Sequence, residues 1–199
     1  MKVENLIQNA SKALKFNNIA THILDAELLL ANIMNVPREY LLTNRDVIIS
    51  QKNKYEFQKA IARRAKREPV AYITKKKEFW SLDFTVNHST LVPRPETELL
   101  VYETLKFFKH KRINILDIGT GSGCILISLL KELKSSRGIG IDISKKTLKI
   151  AKKNSKKIGT YNRSKFIFSS INKFNSGKYD LIVSNPPYIS INNLKKLNK

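Results

Sequence analysis

Cysteine occurs once in the 199 residues, as Cys124, so neither a disulfide framework nor a thiolate zinc site can be built from this chain. Acidic residues are few: 16 Asp+Glu stand against 37 Lys+Arg, a formal net charge of +21. No uncharged apolar run reaches the roughly 18 residues that a membrane-spanning helix needs. The opening MKVENLIQNASK carries an early Glu and no apolar signal core, so a cytoplasmic location is expected. What remains is still enough to fold. A hydrophobic content of 42% argues against disorder, and the length predicts one to two domains with a core of useful size.

The excess of positive charge is weak evidence for a polyanionic partner. Of the cations 28 are Lys and 9 Arg, beside 18 Asn and 23 Ile. All three abundant residues use A/T-rich codons, so a biased genome yields this composition without selection for nucleic acid. A positive field can still aid an encounter with an RNA-rich machine. Runs such as Lys75-Lys76-Lys77 and Lys152-Lys153, however, lack the interleaved aromatics on which bases stack. They read as solvated surface.

Three stretches of different periodicity divide the chain. Residues 1–70 read as a small helical domain. Val3, Leu6, Ile7, Ala10 and Leu14 form one apolar stripe. Thr21 is placed to cap a second helix running to Met34, and Ser50 a further one with Tyr55, Phe57, Ala60 and Ile61 inward. His22 has only Asp25 at helical spacing and reads as a packing or surface histidine. Residues 71–92 form a hairpin or extended connector, from Ala71-Tyr72-Ile73 through Glu78-Phe79-Trp80 to Leu82, Phe84 and Val86. Pro93 and Pro95 then precede a helix expected to bury Leu99, Leu100 and Leu105, with Glu96 and Glu98 suited to its positive start.

Residues 93–199 hold the chemistry. Strands over 113–119, 138–144, 165–169 and 179–185 alternate with helices, which predicts an α/β fold with a parallel, Rossmann-like sheet. After the first strand comes Asp117-Ile118-Gly119-Thr120-Gly121-Ser122-Gly123-Cys124. Alternate glycines let the backbone turn sharply and let a ligand lie against it, at a helix N-terminus rich in free N–H groups. The third glycine arrives one residue early for the dinucleotide fingerprint, which favours a ligand with an amino-acid end over a pyrophosphate. Asp117 suits a cationic group of such a ligand. Glycine-rich turns of this kind also occur for packing alone. Asp142, at the end of the second strand, suits a ribose, which NAD and S-adenosylmethionine both carry, or a helix cap. Cys124 has no neighbouring base and reads as a small buried filler.

The fourth strand runs into Asn185-Pro186-Pro187-Tyr188. Two prolines stiffen the backbone and leave carbonyls free to accept. The Asn185 oxygen and the Pro186 carbonyl can each take one N–H of a planar, weakly nucleophilic amide or amino nitrogen, and Tyr188 can stack on it. Orientation then does the catalysis, without a strong base. No metal is required.

With the glycine turn, Asp142 and NPPY in this order, the chain resembles class I S-adenosylmethionine-dependent methyltransferases that act on planar nitrogen. REPVAYITKKKEFWSLDFTVN, LVPRPETELLV, ILDIGTGSGCI and DLIVSNPPYI together resemble the HemK-type peptide chain release factor glutamine methyltransferases over nearly all of residues 1–190. That resemblance implies methylation of the side-chain amide nitrogen, N5, of the glutamine in the Gly-Gly-Gln loop of release factors. It implies S-adenosylmethionine on Gly119, Thr120, Gly121, Gly123 and Asp142, and the glutamine on Asn185, Pro186 and Tyr188. The 93–97 segment would cover the cofactor, and the N-terminal helices would dock the release factor. A monomer is expected, without specific nucleic-acid or membrane binding.

Two departures qualify the match. Ser170 stands where the family carries an acid near the adenine. The chain also stops 11 residues after Tyr188, before the three further strands of a family member, so a truncated domain with LIVSN as an apolar edge is expected. The alternatives are a nucleic-acid amino-N-methyltransferase and a non-catalytic remnant.

Overall fold

The first apolar stripe forms α1 (Val3–Phe16), which buries Val3, Leu6, Ala10 and Leu14. It packs with α2 (His22–Met34), α3 (Arg38–Thr43), α4 (Gln51–Ala65) and the short α5 (Val70–Thr74). In this computed structural model residues 1–186 are described. They fall into two compact units, divided between Lys76 and Lys77.

In the first unit Ser50 caps α4 as expected, its hydroxyl accepting from the Asn53 amide at 3.2 Å. Thr21 sits at the N-cap of α2 without capping it; its hydroxyl donates to Asp25 Oδ2 at 2.8 Å. Arg64 Nε donates to the same oxygen at 2.7 Å, and Arg38 Nε to Glu27 Oε2 at 2.7 Å. Both buried acids of α2 are thereby paired, as burial of charge demands. Phe57, Ala60 and Ile61 point inward, but Tyr55 is exposed, with the Lys59 ammonium 4.0 Å from its ring centroid. Ala71-Tyr72-Ile73, expected as extended chain, is helical in α5 after Pro69, whose fixed φ suits a helix start. His22 Nδ1 shares a hydrogen bond with Ser11 Oγ at 2.8 Å, a packing role.

A hairpin, β1 (Lys76–Phe79) and β2 (Leu82–Thr85), stands at the start of the second unit, its first residue, Lys76, being the last of the first unit. Its two-residue turn, Trp80-Ser81, has both residues left-handed, the twist-matched geometry of tight hairpins. Pro95 opens a 3-10 turn (Pro95–Thr97) leading into α6 (Glu98–Phe108). That helix buries Val101 and Thr104, while Leu100 and Leu105 pack partly against the core. Leu99, expected inside, is 62% exposed, because the inward stripe of α6 is set by Val101.

Four strands follow: β3 (Asn114–Ile118), β4 (Arg137–Asp142), β5 (Ser164–Phe168) and β6 (Leu181–Ser184), with α7 (Cys124–Glu132) and α8 (Lys145–Ile158) as crossovers. Their order is β5-β4-β3-β6, all parallel. The α/β, Rossmann-like expectation therefore holds. Ile115, Leu126, Ile127, Leu129, Leu130 and Val183 belong to the core of this unit. Among the described residues no helix is long and apolar enough to cross a membrane.

Candidate active site

Parallel strands deliver their carboxyl ends to one edge of the sheet, the edge at which open α/β sheets bind ligands. Here the ends of β3, β4, β5 and β6 surround a cavity of about 400 Å³, within the roughly 300–1,000 Å³ of small-molecule sites. Gly119, Gly121, Asp142, Ser170, Asn185 and Pro186 all line it. Residues singled out from four separate loops thus meet at one place. Pro187 and Tyr188 lie outside the described residues.

The turn after β3 is built for close approach. Gly119 and Gly121 have φ of +70° and +58°, a left-handed backbone that side-chain-bearing residues rarely adopt. A Cβ on Gly119 would meet nothing within 4 Å; the space beside it is open. Gly123 differs, since a Cβ there would come 2.8 Å from Ile127 Cδ1. Its bareness serves helix packing and not the cavity.

Asp117 and Thr120 lie behind the turn, both buried. The Thr120 hydroxyl donates to Asp117 Oδ2 at 2.7 Å, while Asp117 Oδ1 is buried without a hydrogen-bond partner. Burial raises the Asp117 carboxyl to about 6; the Thr120 hydrogen bond opposes the rise, and the Asp142 charge adds a smaller push. Burial likewise pushes the Cys124 thiol up to about 12, which fits an inert filler.

Asp142 is engaged by backbone. Its Oδ2 accepts from the Gly121 amide at 3.1 Å and its Oδ1 from the Ser144 amide at 2.9 Å. The N-cap of α8 is Ser144, whose hydroxyl accepts from Thr147 N, so Asp142 is not the cap. Each Asp142 oxygen keeps a lone pair for a further donor. Around it Leu91, Ile143 and Ile171 leave apolar surface on the cavity rim.

Several contributors carry no sequence signal of their own. Asn154, fully buried on α8, donates to the Thr85 and Ser122 carbonyls at 3.0 and 2.9 Å and accepts from the Thr85 amide at 2.8 Å. It ties β2 to the glycine turn. The Thr147 hydroxyl donates to the Ser89 carbonyl, fixing a loop that lines the cavity. At the end of β6, Ser184 Oγ donates to the Ile118 carbonyl at 3.0 Å and Asn185 Nδ2 to Thr97 Oγ1 at 2.9 Å.

Asn185 and Ser184 also line a second hollow, of about 450 Å³, with Arg94, Glu96, Thr97, Leu99, Leu100 and Glu103. Asn185 is therefore shared by two adjoining hollows. A larger one, of about 640 Å³, lies beside the loops that precede β3 and β4, at the edge of the sheet away from these groups; Lys106, Lys109, Lys111 and Lys134 help line it. Among the described residues no cluster of three or more His, Cys, Asp or Glu could hold a metal.

The chain is similar to known proteins along most of its length. Residues 5–74 match the PrmC N-terminal domain, and residues 109–198 match a methyltransferase domain. The chain is 38% identical over 200 residues to the release factor glutamine methyltransferase of Buchnera aphidicola subsp. Baizongia pistaciae, covering 100% of this chain and 72% of that protein. It belongs to the release factor glutamine methyltransferase family. The relative of that name from Leptospira interrogans is 40% identical over 201 residues, with 98% of this chain and 70% of that protein covered. The bifunctional methyltransferase of Rickettsia typhi is 39% identical over 210 residues, but the chain spans only 40% of its length. Among solved structures, the ribosomal protein L11 methylase of Lactobacillus delbrueckii subsp. bulgaricus is similar at a TM-score of 0.42 and 29% identity, over 47% of each chain.

Proposed function

We propose that this chain transfers a methyl group from S-adenosylmethionine to the N5 side-chain amide nitrogen of the glutamine in the Gly-Gly-Gln motif of peptide chain release factors. The observation that carries the reading is the position of Asn185. It lines the cavity of Gly119, Gly121 and Asp142 on one side and the hollow of Thr97, Leu100 and Glu103 on the other. A donor in the first and an acceptor in the second would meet at its carboxamide.

The cavity fits the cofactor. Gly119 presents bare backbone to open space, where an amino-acid end can lie, with Gly121 beside it on the cavity wall. Asp117, buried beneath the turn and outside the cavity lining, acts on its ammonium through its negative charge and not by contact. Asp142 keeps acceptor capacity for ribose hydroxyls, and the apolar rim of Leu91, Ile143 and Ile171 suits a planar base beside Ser170. When bound, S-adenosylmethionine supplies a sulfonium methyl as electrophile.

The protein's part is orientation. Asn185 Oδ1 accepts one N–H of the glutamine amide and the Pro186 carbonyl the other. Both hydrogen bonds favour a nitrogen turning tetrahedral as its lone pair leaves conjugation. Holding that nitrogen in line removes most of the entropic barrier. Among the described residues lining the cavity Asp142 is the one acid, and backbone amides engage both its oxygens. The adjoining hollow carries Glu96 and Glu103, and the surplus proton leaves the methylated nitrogen after transfer, to water or to one of these carboxylates. The helical first unit, which matches the PrmC N-terminal domain, serves as the release-factor dock. Methylation of release factors would have the chain act in the cytoplasm, as a monomer without nucleic-acid specificity.

The test is to offer S-adenosylmethionine labelled in its methyl group together with a release factor, bulk RNA or DNA in parallel. Label in the release factor alone supports the reading. Label in nucleic acid overturns it, and binding of S-adenosylhomocysteine without transfer to any of the three makes the chain a binding module.

A further inference from the structure

The reading of Asn185 as the amide-gripping residue leaves open what holds its own carboxamide. A free primary amide rotates about its terminal torsion, which is broad and nearly two-fold, and presents oxygen or NH2 with similar ease. Only the oxygen can accept from a substrate N–H. Asn185 Nδ2 donates to Thr97 Oγ1 at 2.9 Å, so one N–H of the carboxamide is committed to a hydroxyl 88 positions earlier in the chain.

The partner is itself well fixed. Thr97 closes the 3-10 turn that Pro95 opens, and its amide donates to the Arg94 carbonyl at 3.0 Å. Pro93 is buried at the base of the loop. The next residue, Glu98, accepts from the Trp80 amide at 2.8 Å, anchoring the start of α6 to the hairpin turn. On the other side, the Ser184 bond to Ile118 pins the last residue of β6. Two braced backbones thus meet through the Thr97–Asn185 hydrogen bond.

From this juxtaposition we infer that Thr97 is a positioning residue for methyl transfer, acting through Asn185. This rests on the proposed function, and it adds two effects. The hydroxyl holds the carboxamide with Oδ1 turned away from Thr97 and available to the substrate. It also polarises that carboxamide. The Thr97 lone pair on Nδ2–H pushes electron density toward Oδ1 and so reinforces its acceptor character, in the cooperative manner of linked hydrogen bonds. As positive charge develops on the substrate nitrogen, that strengthened oxygen stabilises it more than the ground-state amide. The effect therefore falls on kcat more than on substrate binding.

Thr97→Val keeps the shape and removes the acceptor, whereas Thr97→Ser keeps it. Expected for T97V, in the full chain, is a kcat toward release factor lowered about tenfold or more, with KM and calorimetric affinity for S-adenosylhomocysteine within about threefold of the parent. T97S is expected to recover most of the loss, and adding T97V to Asn185→Ala to lower the rate no further. The inference is overturned if T97V keeps kcat, if T97S falls as far as T97V, or if cofactor affinity falls in step with kcat, since a packing role explains the last two. Asn185→Ala separates the layers: full activity there sinks the proposed function itself, while an inactive N185A beside an active T97V sinks only the role of Thr97.

Discussion

The Gly121 amide donates to Asp142 Oδ2 at 3.1 Å, so the bend after β3 is tied to the tip of β4 across the mouth of the cavity. One carboxylate thereby shapes the floor on which an amino-acid end would rest and faces the place a ribose would occupy. Asp142→Ala leaves the Gly121 and Ser144 amides without their acceptor. The expected result is a loss of about 1–3 kcal/mol in S-adenosylhomocysteine affinity, read by calorimetry. Unchanged affinity would mean that Asp142 serves only the local backbone.

The glycines of the same bend separate into two kinds. Gly119→Ala and Gly123→Ala both strain a left-handed backbone, by about 1–2 kcal/mol. At 119 the added methyl enters open cavity space; at 123 it meets Ile127 Cδ1 at 2.8 Å and Ala151 Cβ at 3.3 Å. Cofactor affinity should therefore fall further in G119A, and thermal stability further in G123A. Paired titration and melting of the two variants check the ordering, and its reversal would contradict the assignment of Gly119 to the ligand.

Asp117 predicts a pH dependence. Burial raises its carboxyl from the ordinary 3.8 to about 6. The folded state then holds a proton that the unfolded chain gives up earlier. The stabilisation is complete below pH 4 and is lost as the pH climbs through 6. Asp117→Asn removes that titration. The stability of D117N relative to the parent should rise across this window by roughly 2–3 kcal/mol and be flat above pH 7. Urea denaturation at several pH values measures it. A flat difference from pH 4 to 7 would show that Asp117 titrates normally.

Much of this was legible in the sequence because it is local. The β-branched runs ILDI and LIVS, the alternate glycines and the helical stripe of α1 each write their structure within a few neighbours. Ser50 was legible as a cap for the same reason. What was not legible depends on distance. Asn154 bonds Thr85 and Ser122, 69 and 32 positions away, and leaves no period to detect. Asn185 stood out as a site residue and Thr97 lies in the 93–97 segment expected to cover the cofactor, but nothing local joins them. Thr21 shows a subtler limit. Its hydroxyl suits a cap, yet the buried Asp25 competes for it, and satisfying a buried carboxylate takes precedence over an exposed helix end. Leu99 and Tyr55 satisfy helical spacing while facing outward, because spacing alone does not fix the phase of a stripe.

The most direct test of the account is to map the transferred methyl group by mass spectrometry after incubating the chain with S-adenosylmethionine and a release factor. The account predicts a single added methyl on the side-chain amide of the glutamine in Gly-Gly-Gln, absent when Asn185→Ala replaces the parent. A methyl on any other residue, or an undiminished yield from N185A, would contradict it.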